Sequence, residues 1–201
     1  MTDYYFTENP NAEHDEKHWS YELLGHKLNF ISDRGVFSKN TIDFGTRTLL
    51  EAIQIAGSAE KILDVGCGYG PIGISLAKSF PEIQVQMTDV NERALGLAKR
   101  NAVANSVEKQ TQIYKSDAYE NIDDTDFTTI ISNPPVRAGK SVVETIIVEA
   151  KSHLKAGGQL VIVLQKKQGA PSAKKLMQET FGNVEVLKKN KGYYILRSAH
   201  E

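Results

Sequence analysis

At residues 61–71 the chain carries the sequence KILDVGCGYGP, its most informative stretch. The continuous apolar run at 61–65 predicts a buried β-strand. Three glycines then alternate with other residues before Pro71, and proline is favoured in the first turn of a helix. A glycine-rich turn between a strand and a helix lets the backbone approach a bound ligand closely. The stretch therefore predicts a ligand site at the start of an α/β sheet.

Strands and helices alternate on the carboxyl side of this stretch. The pattern predicts strands at 84–89, 111–115, 127–132 and 159–164, and helices at 71–80, 91–105 and 140–153, the last segment being ended by Gly157 and Gly158. Such alternation indicates a parallel sheet, because parallel strands need crossover connections and those usually contain helices.

The two ends of the chain depart from this alternation. Residues 184–187 and 193–197 are separated by a turn too short for a crossover, so they should form an antiparallel hairpin. We therefore expect an α/β, doubly wound Rossmann-like fold with a mostly parallel seven-stranded sheet. Residues 1–26 are expected to be a flexible arm before a single domain at 27–201. That domain comprises a strand and helix extension at 27–57, its helix capped by Asp43 and ended by Gly57, and a core at 58–201.

Composition restricts the class of protein. Lys and Arg number 24 against 25 Asp and Glu, so no global field attracts the chain to nucleic acid or an anionic membrane, and a polyanion would need a local patch. The single cysteine, Cys67, allows no disulfide framework, and no metal-ligand spacing is present. No apolar run is long enough to span a membrane, and the polar N-terminus does not resemble a signal peptide. A cytoplasmic protein is expected, and no pattern assigns its oligomeric state.

Two acids help to identify the ligand of the glycine turn, for which Gly66, Gly68 and Gly70 are the candidate contacts. The turn also satisfies a dinucleotide fingerprint, so a nicotinamide-dependent oxidoreductase is an alternative. Asp64 argues against a pyrophosphate and favours S-adenosylmethionine, which carries an ammonium and a sulfonium. Asp89, about twenty residues beyond the turn, can accept both ribose hydroxyls of an adenosine.

Asp117 is a less specific candidate. It follows the predicted strand at 111–115 and either accepts from the adenine amino group or caps a helix.

The second chemical motif is Ser132-Asn133-Pro134-Pro135, at the carboxyl end of a predicted strand. The prolines stiffen the backbone. If the Asn133 side-chain oxygen and the Pro134 carbonyl accept the two hydrogens of a planar amino group, its lone pair turns toward a methyl donor. Taken alone, the motif is explained equally well as a turn after a strand, because asparagine and proline are common in turns. Together with the glycine turn it predicts an amino methyltransferase.

These motifs resemble the class I S-adenosylmethionine-dependent methyltransferases. More specifically, the chain from Leu28 on looks like the catalytic domain of the small-subunit ribosomal RNA guanine-N2 methyltransferase C family, through the segments 33–38, 43–46, 63–70 and 132–135. The resemblance implies methyl transfer to the exocyclic amine of a guanine in ribosomal RNA or the small ribosomal subunit, with Thr46 among the cofactor contacts.

Several residues are candidates for holding the RNA. Pro135 follows the catalytic pair, and Val136 stands where many amino methyltransferases have an aromatic residue that stacks on the base; Phe37 is the candidate replacement, or else covers the core. The expected phosphate contacts are Arg137, Lys140, Lys166 and Lys167, with Arg34 and Lys39 beside them. The remaining lysine pairs are interpreted as solvated surface: Lys174, Lys175, Lys188, Lys189 and Lys191.

Two further functions stay open at this point. A protein glutamine methyltransferase acts on a side-chain amide that is also planar and weakly nucleophilic. A non-catalytic RNA-binding module would keep the fold without the reaction.

Overall fold

The computed structural model describes residues 7–8, 13–38, 40–56 and 60–201. Within these ranges the strands are β1 Lys17–Leu23, β2 His26–Ser32, β3 Lys61–Val65, β4 Gln84–Asp89, β5 Thr111–Lys115, β6 Phe127–Ser132, β7 Leu154–Gln165, β8 Glu185–Asn190 and β9 Tyr193–Ala199. The helices are α1 Phe44–Ala52, α2 Pro71–Ser79, α3 Glu92–Ala104, α4 Lys140–His153 and α5 Ala170–Phe181. No helix of the described ranges has the length and apolar character needed to span a membrane.

The central sheet confirms the expected topology. Its seven strands lie in the order β5-β4-β3-β6-β7-β9-β8. Strands β3 to β7 pair in parallel, whereas β9 is antiparallel to both β7 and β8. The chain builds outward from β3 to β5 on one side and then from β6 to β8 on the other. The strand order thus reverses between β3 and β6, and such a point leaves a crevice at the carboxyl ends of the strands.

Helices cover both faces of this sheet. Ile62 and Leu63 are neighbours in β3 but point to opposite faces, as the alternation of side chains along a strand requires. Ile62 belongs to an apolar cluster that includes Ile74 of α2 and Leu97 of α3. Leu63 belongs to a second cluster on the other face, with members from α4 and α5. Two cores on one sheet fix the relative positions of all five parallel strands.

The N-terminal segment differs from the expectation of a flexible arm. Residues 17–23 form β1, which pairs antiparallel with β2 in a separate two-stranded sheet. Leu23 is buried, and the Trp19 ring lies 5.3 Å from that of Phe30. The sequence of β1, KHWSYEL, alternates exposed polar residues with the more buried Trp19, Tyr21 and Leu23, as expected for a strand with one side facing solvent. Residues 1–6 and 9–12 of the expected arm lie outside the described residues.

The predicted boundary at Gly157 and Gly158 is wrong, because both glycines lie inside β7. The pairing of β6 with β7 jumps from Phe127 with Leu154 to Thr129 with Gln159, so the extra residues of β7 form a bulge. A Cβ on Gly158 would lie 2.9 Å from the carbonyl oxygen of Phe127. Glycine is required there by close backbone packing, not as the end of a helix.

The helix after Asp43 begins as expected but is shorter. The Asp43 carboxylate accepts hydrogen bonds from the amides of Gly45 and Thr46, at 2.9 and 3.2 Å, and so caps α1. The helix ends at Ala52, before the expected stop at Gly57, which lies outside the described residues.

Candidate active site

A cavity of about 940 Å³ opens at the carboxyl edge of the parallel strands. Its wall combines the segments that follow β3, β4, β5 and β6 with the carboxyl end of β7 and the start of β9. Residues 36–38, from the loop before α1, complete it. Of the site residues expected from sequence, the wall includes Phe37, Thr46, Gly66, Gly68, Asp89, Asp117, Asn133, Pro134, Pro135 and Arg137. The fold therefore brings both sequence motifs to one cavity.

The glycine turn presents open backbone to this cavity. Gly66 and Gly68 both have positive φ, +74° and +58°, which glycine adopts without strain. A Cβ on Gly68 would meet no heavy atom of the described residues within 4 Å, so its backbone is open toward the cavity. Gly70 has a different role, because a Cβ there would lie 2.7 Å from Ile74 Cδ1 and 2.8 Å from Met87 Cε. It packs against the core instead of joining the described cavity wall.

Asp89 is held by backbone amides at the end of β4. Its Oδ2 accepts from the Gly68 amide at 2.8 Å, and its Oδ1 accepts from the Asn91 amide at 2.9 Å. Burial raises the pKa of this carboxyl above its usual range, and the amide hydrogen bonds partly offset that rise. The side chain is thus fixed in orientation while its oxygens keep lone pairs for further donors such as hydroxyl groups.

Asp64 lies beneath the turn. Asp64 was expected to contact the cofactor, but its side chain is buried and it is not among the described residues of the cavity wall. Its Oδ2 accepts from the Gly73 amide at 3.0 Å, whereas its Oδ1 has no hydrogen-bond partner among the described residues. Burial raises the pKa of Asp64 to about 7, and the neighbouring Asp89 adds to the rise.

The acids around the glycine turn restrict the kind of ligand that it can hold. Two carboxyl groups, Asp64 and Asp89, stand next to the open glycine backbone. A pyrophosphate would face both of them, whereas a ligand with a ribose and a cationic group would gain hydrogen bonds and a favourable charge. The residues present therefore fit an adenosine-linked cation such as S-adenosylmethionine.

Asn133 is oriented by helix α1. Its Nδ2 donates to both carboxylate oxygens of Asp43, at 3.3 and 3.2 Å, and to Thr46 Oγ1 at 3.1 Å. With its amide hydrogens directed toward α1, the side-chain oxygen is the group that can accept from a substrate. Thr46, expected to contact the cofactor, lies on the cavity wall and also helps to hold Asn133.

The two motifs are also fixed relative to each other. Ser132 Oγ donates to the Val65 carbonyl at 2.7 Å, which joins the end of β6 to the end of β3. A Cβ on Gly66 would lie 3.8 Å from Pro135 Cδ, so the glycine turn and the Asn-Pro-Pro segment are in near contact. The Pro134 carbonyl accepts from the Val136 amide at 2.8 Å and keeps one lone pair. A ligand on the turn would lie beside Asn133.

The expected substrate contacts have different positions. Phe37 is 41% exposed on the cavity wall, and Arg137 lies on the same wall. Lys140 is outside it and pairs with Glu144 along α4 at 3.0 Å. Lys166 and Lys167 are exposed in a short 3₁₀ helix at Lys166–Gln168, between the wall residues Gln165 and Gln168. Lys39 lies outside the described residues.

Asp117 lines the cavity and does not cap a helix. The Glu120 amide donates to the Asp117 carbonyl at 3.0 Å, and residues 118–121 form a turn with no helix. The cap alternative is therefore wrong, and the side chain remains a candidate for contact with the ligand.

Several wall residues were not expected from sequence, and three of them make contacts that bear on the site. Tyr193 starts β9, and Lys115 forms an ion pair with Glu8 above the end of β5. Asp43 was recognised only as a helix cap, although it also reaches Asn133, ninety residues away in the chain. A cap motif signals local structure alone, so only the packing of α1 against the end of β6 reveals this contact.

Comparisons with known proteins identify the family of the chain. The family model of the methyltransferase small domain matches residues 27–197. The uncharacterized protein YbxB of Bacillus subtilis (strain 168) is 46% identical over 199 residues, which cover 98% of each chain. The ribosomal RNA small subunit methyltransferase C of Vibrio vulnificus (strain CMCP6) is 33% identical over 187 residues, 91% of this chain and 53% of that protein.

A solved structure shows the same arrangement of elements. The 16S rRNA N2 G1207 methyltransferase of T. thermophilus, in complex with AdoMet and guanosine, superposes with a TM-score of 0.84 and 25% sequence identity. The match covers 96% of this chain and 52% of that one. The chain thus spans about half the length of these two ribosomal RNA methyltransferases and nearly the full length of YbxB.

Proposed function

This chain belongs to the methyltransferase small domain family, and from that premise we propose that it transfers a methyl group from S-adenosylmethionine to the exocyclic amine of a guanine in small-subunit ribosomal RNA. The observation that carries the proposal is the orientation of the Asn133 amide by Asp43 and Thr46, beside the open glycine turn. The named activity of the ribosomal RNA relatives supports the choice of substrate. Such a substrate also favours a cytoplasmic location.

The glycine turn and its acids would hold the cofactor. The backbone of Gly66 and Gly68 would lie against it, Asp89 would accept the ribose hydroxyls, and Asp117 would accept from the adenine amino group. A cationic ligand nearby would favour the ionised form of Asp64, which would then supply negative potential from beneath the turn. When bound, the cofactor supplies a methyl group on a positively charged sulfur, an electrophile that needs no further activation.

The Asn-Pro-Pro segment would prepare the amine. The nitrogen of an exocyclic amino group is planar and a weak nucleophile, since its lone pair is delocalised into the ring. Asn133 Oδ1 and the free lone pair of the Pro134 carbonyl would accept its two hydrogens and turn the lone pair toward the methyl group. Correct placement of two reactants contributes roughly 7 kcal/mol or more to lowering a barrier.

Asp43 would assist through Asn133. The amino nitrogen gains positive charge as the new bond to carbon forms. The Asp43 carboxylate, 3.2 Å from the Asn133 nitrogen, polarises that amide and makes its oxygen a stronger acceptor for the charged amine. The excess proton can then pass to water, so this scheme requires no general base with a tuned pKa.

Phe37 and Arg137 would hold the nucleotide. Phe37 is an exposed aromatic ring on the cavity wall and could stack on the base, as Val136 cannot. Arg137 is a phosphate-binding candidate on the same wall. Membership of a methyltransferase family disfavours the alternative of a nicotinamide-dependent oxidoreductase. The alternative of a protein glutamine substrate is separated from RNA by the labelling experiment that follows.

The direct test is transfer of radiolabelled methyl from S-adenosylmethionine to purified small ribosomal subunits and to in vitro transcribed small-subunit ribosomal RNA. We expect label that nuclease digestion releases, and that nucleoside analysis identifies as N2-methylguanosine. Label that survives nuclease but is released by protease would instead indicate a glutamine methyltransferase, and no transfer at all would contradict the proposal.

The variant Asn133→Ala tests the carrying observation. We expect it to lower kcat/KM for ribosomal RNA more than about tenfold, because the acceptor that orients the amine is lost. The affinity for S-adenosylhomocysteine, measured by calorimetry, should stay within about threefold of the wild-type value, since the glycine turn is intact. Wild-type turnover of the variant would show that Asn133 does not orient the substrate.

A further inference from the structure

We propose that the turn of the β8–β9 hairpin is an RNA-binding surface that continues the substrate side of the cavity. The surface, called the basic rim below, comprises Arg137, Lys166, Lys167, Lys189 and Lys191. Its ligands would be backbone phosphates of the RNA strand that flanks the target nucleotide. The inference rests on the proposed function and extends it beyond the reacting base.

Sheet topology places the hairpin turn beside the active site. The parallel strands end at the cavity, and β9 runs antiparallel to β7, so β9 must begin at that same edge. Gln165 at the end of β7 pairs with Tyr193 at the start of β9. The Lys166 amide donates to the Gly192 carbonyl at 2.8 Å, which joins the turn to the 3₁₀ helix. Lysines distant in sequence thus share one edge.

The basic rim is continuous with the cavity. Arg137, Gln165, Gln168 and Tyr193 all belong to the cavity wall. Each rim lysine lies within two residues of one of these positions or, for Lys189, at the preceding strand end of the same turn. An RNA strand leaving the cavity on this side would meet the rim directly.

Charge is separated across the cavity. The segments 133–143, 165–175 and 186–194, which contain the rim, include no Asp or Glu. Four of the five acids among the described residues of the cavity wall come from the opposite end of the sheet, where β4 and β5 end: Glu8, Asp89, Asp117 and Glu120. The fifth, Asp43, accepts hydrogen bonds from the first amides of α1 and from Asn133. A chain that is nearly neutral as a whole therefore presents a cationic side to a polyanion.

The rim cations are available for a ligand. None of the five forms an ion pair with a residue in the described part of the chain, whereas their neighbours Lys140 and Lys188 pair with Glu144 and Glu51. The four rim lysines are exposed. Uncompensated cations that cluster on one edge of a site repel one another, and binding of phosphates relieves that repulsion.

Aromatic rings lie close to the lysines of the hairpin turn. Lys189 Nζ lies 4.7 Å from the centroid of the Tyr194 ring, and Lys191 Nζ lies 5.0 Å from that of Phe44. The Phe44 and Tyr193 rings are 5.6 Å apart. Exposed contacts of this kind are worth about 0.5–1 kcal/mol, enough to direct a lysine without preventing it from binding a phosphate. Basic and aromatic side chains together are typical of surfaces that bind single-stranded RNA.

The test compares two double variants that each remove two exposed lysines. Lys189→Gln with Lys191→Gln changes the rim. Lys109→Gln with Lys155→Gln changes the opposite edge, since Lys109 precedes β5 and Lys155 lies at the start of β7. Binding of in vitro transcribed small-subunit ribosomal RNA is measured by filter binding over a range of salt concentrations. Calorimetry with S-adenosylhomocysteine and thermal melting check that each variant is folded.

We expect the rim variant to bind the RNA at least about fivefold more weakly at low salt. Its slope of log K against log salt should fall by about 1.4, because each phosphate contact to a single strand contributes about 0.7. The matched variant should keep the wild-type affinity and slope. Equal slopes for the two variants would contradict the proposal that the basic rim binds RNA.

These measurements distinguish a failure of the basic-rim proposal from a failure of the proposed methyltransferase function. Wild-type protein that binds the RNA without transferring methyl would contradict the proposed function, while the slopes would still decide the rim. Wild-type protein that methylates the RNA, with equal slopes for both variants, would contradict the rim alone. No binding of the RNA by wild-type protein would overturn both.

Discussion

Asn133 illustrates how one side chain is prepared by others. A primary amide can present either its oxygen or its nitrogen to a ligand, and the two ends have opposite hydrogen-bonding roles. Asp43 and Thr46 accept from the nitrogen and so determine which end is available. The sequence motif predicts an asparagine at the right place, whereas its chemical direction depends on α1.

Asp43→Asn separates these two roles of Asp43. An asparagine can still accept from the Gly45 and Thr46 amides, so the helix cap should persist and the melting temperature should change little. The lost charge and acceptor weaken the orientation of Asn133. We therefore expect kcat for methyl transfer to fall about tenfold, measured with saturating S-adenosylmethionine and RNA.

The matched substitution is Thr46→Val, which removes one acceptor but no charge and should have a smaller effect. If Asp43→Asn retains wild-type kcat, Asp43 serves only as a cap.

At the scale of elements, the β1–β2 hairpin is attached to the domain by two asparagines of α3 and its C-cap. Asn101 Oδ1 accepts from the Ile31 amide at 2.7 Å, and its Nδ2 donates to the carbonyls of Ile31 and Tyr69. Asn105 forms a similar pair of hydrogen bonds with the backbone of Asn29. The two side chains thus act as a substitute for a neighbouring strand along the edge of β2.

The substitution Asn101→Ala should weaken the attachment of the β1–β2 hairpin to α3. It leaves backbone groups of Ile31 and Tyr69 without partners, and each buried unsatisfied group costs about 1–3 kcal/mol. We expect a loss of unfolding free energy of about 3 kcal/mol or more, measured by urea denaturation. Hydrogen exchange should rise first at residues 29–31, because the local attachment is lost.

The control for this variant is Val103→Ala on the same helix. Val103 is 62% exposed, so its truncation should change stability by less than about 0.5 kcal/mol. Equal stability of the two variants would show that Asn101 does not hold the hairpin.

At the scale of the whole molecule, the buried Asp64 links overall stability to pH. Its pKa in the folded protein is raised to about 7, chiefly by burial, while in the unfolded chain it should be near 3.9. The folded state therefore holds the proton more tightly. Below the unfolded pKa the Asp64 carboxyl is protonated in both states, and its burial costs no stability. This stability is lost as the pH rises through the folded pKa, because the buried group must then become charged.

Asp64→Asn should remove this pH dependence. The amide oxygen can still accept from Gly73, and the variant carries no buried charge. We expect the variant to be more stable than the wild type at high pH, with a difference in unfolding free energy that widens by about 2–3 kcal/mol between pH 5 and pH 8.5. Urea denaturation across that range measures the difference, and a constant gap would contradict the assignment.

Several features of the molecule follow from sequence alone. The alternation of strands and helices, the glycine turn, the Asn-Pro-Pro segment and the C-terminal hairpin are set by local hydrophobic period and by the backbone preferences of glycine and proline. These signals act over a few residues, so they can be identified without knowing the neighbours in space. They were sufficient to predict the sheet and to locate both motifs at its carboxyl edge.

Other features were decided only by tertiary structure. Asp43 meets Asn133, Asn101 holds the N-terminal hairpin, and the bulge in β7 absorbs Gly157 and Gly158. The lysines of the β8–β9 turn, which look like ordinary solvated surface in sequence, lie beside the cavity. Each of these contacts joins segments far apart in the chain, and their meeting depends on strand order and register, which no local pattern encodes.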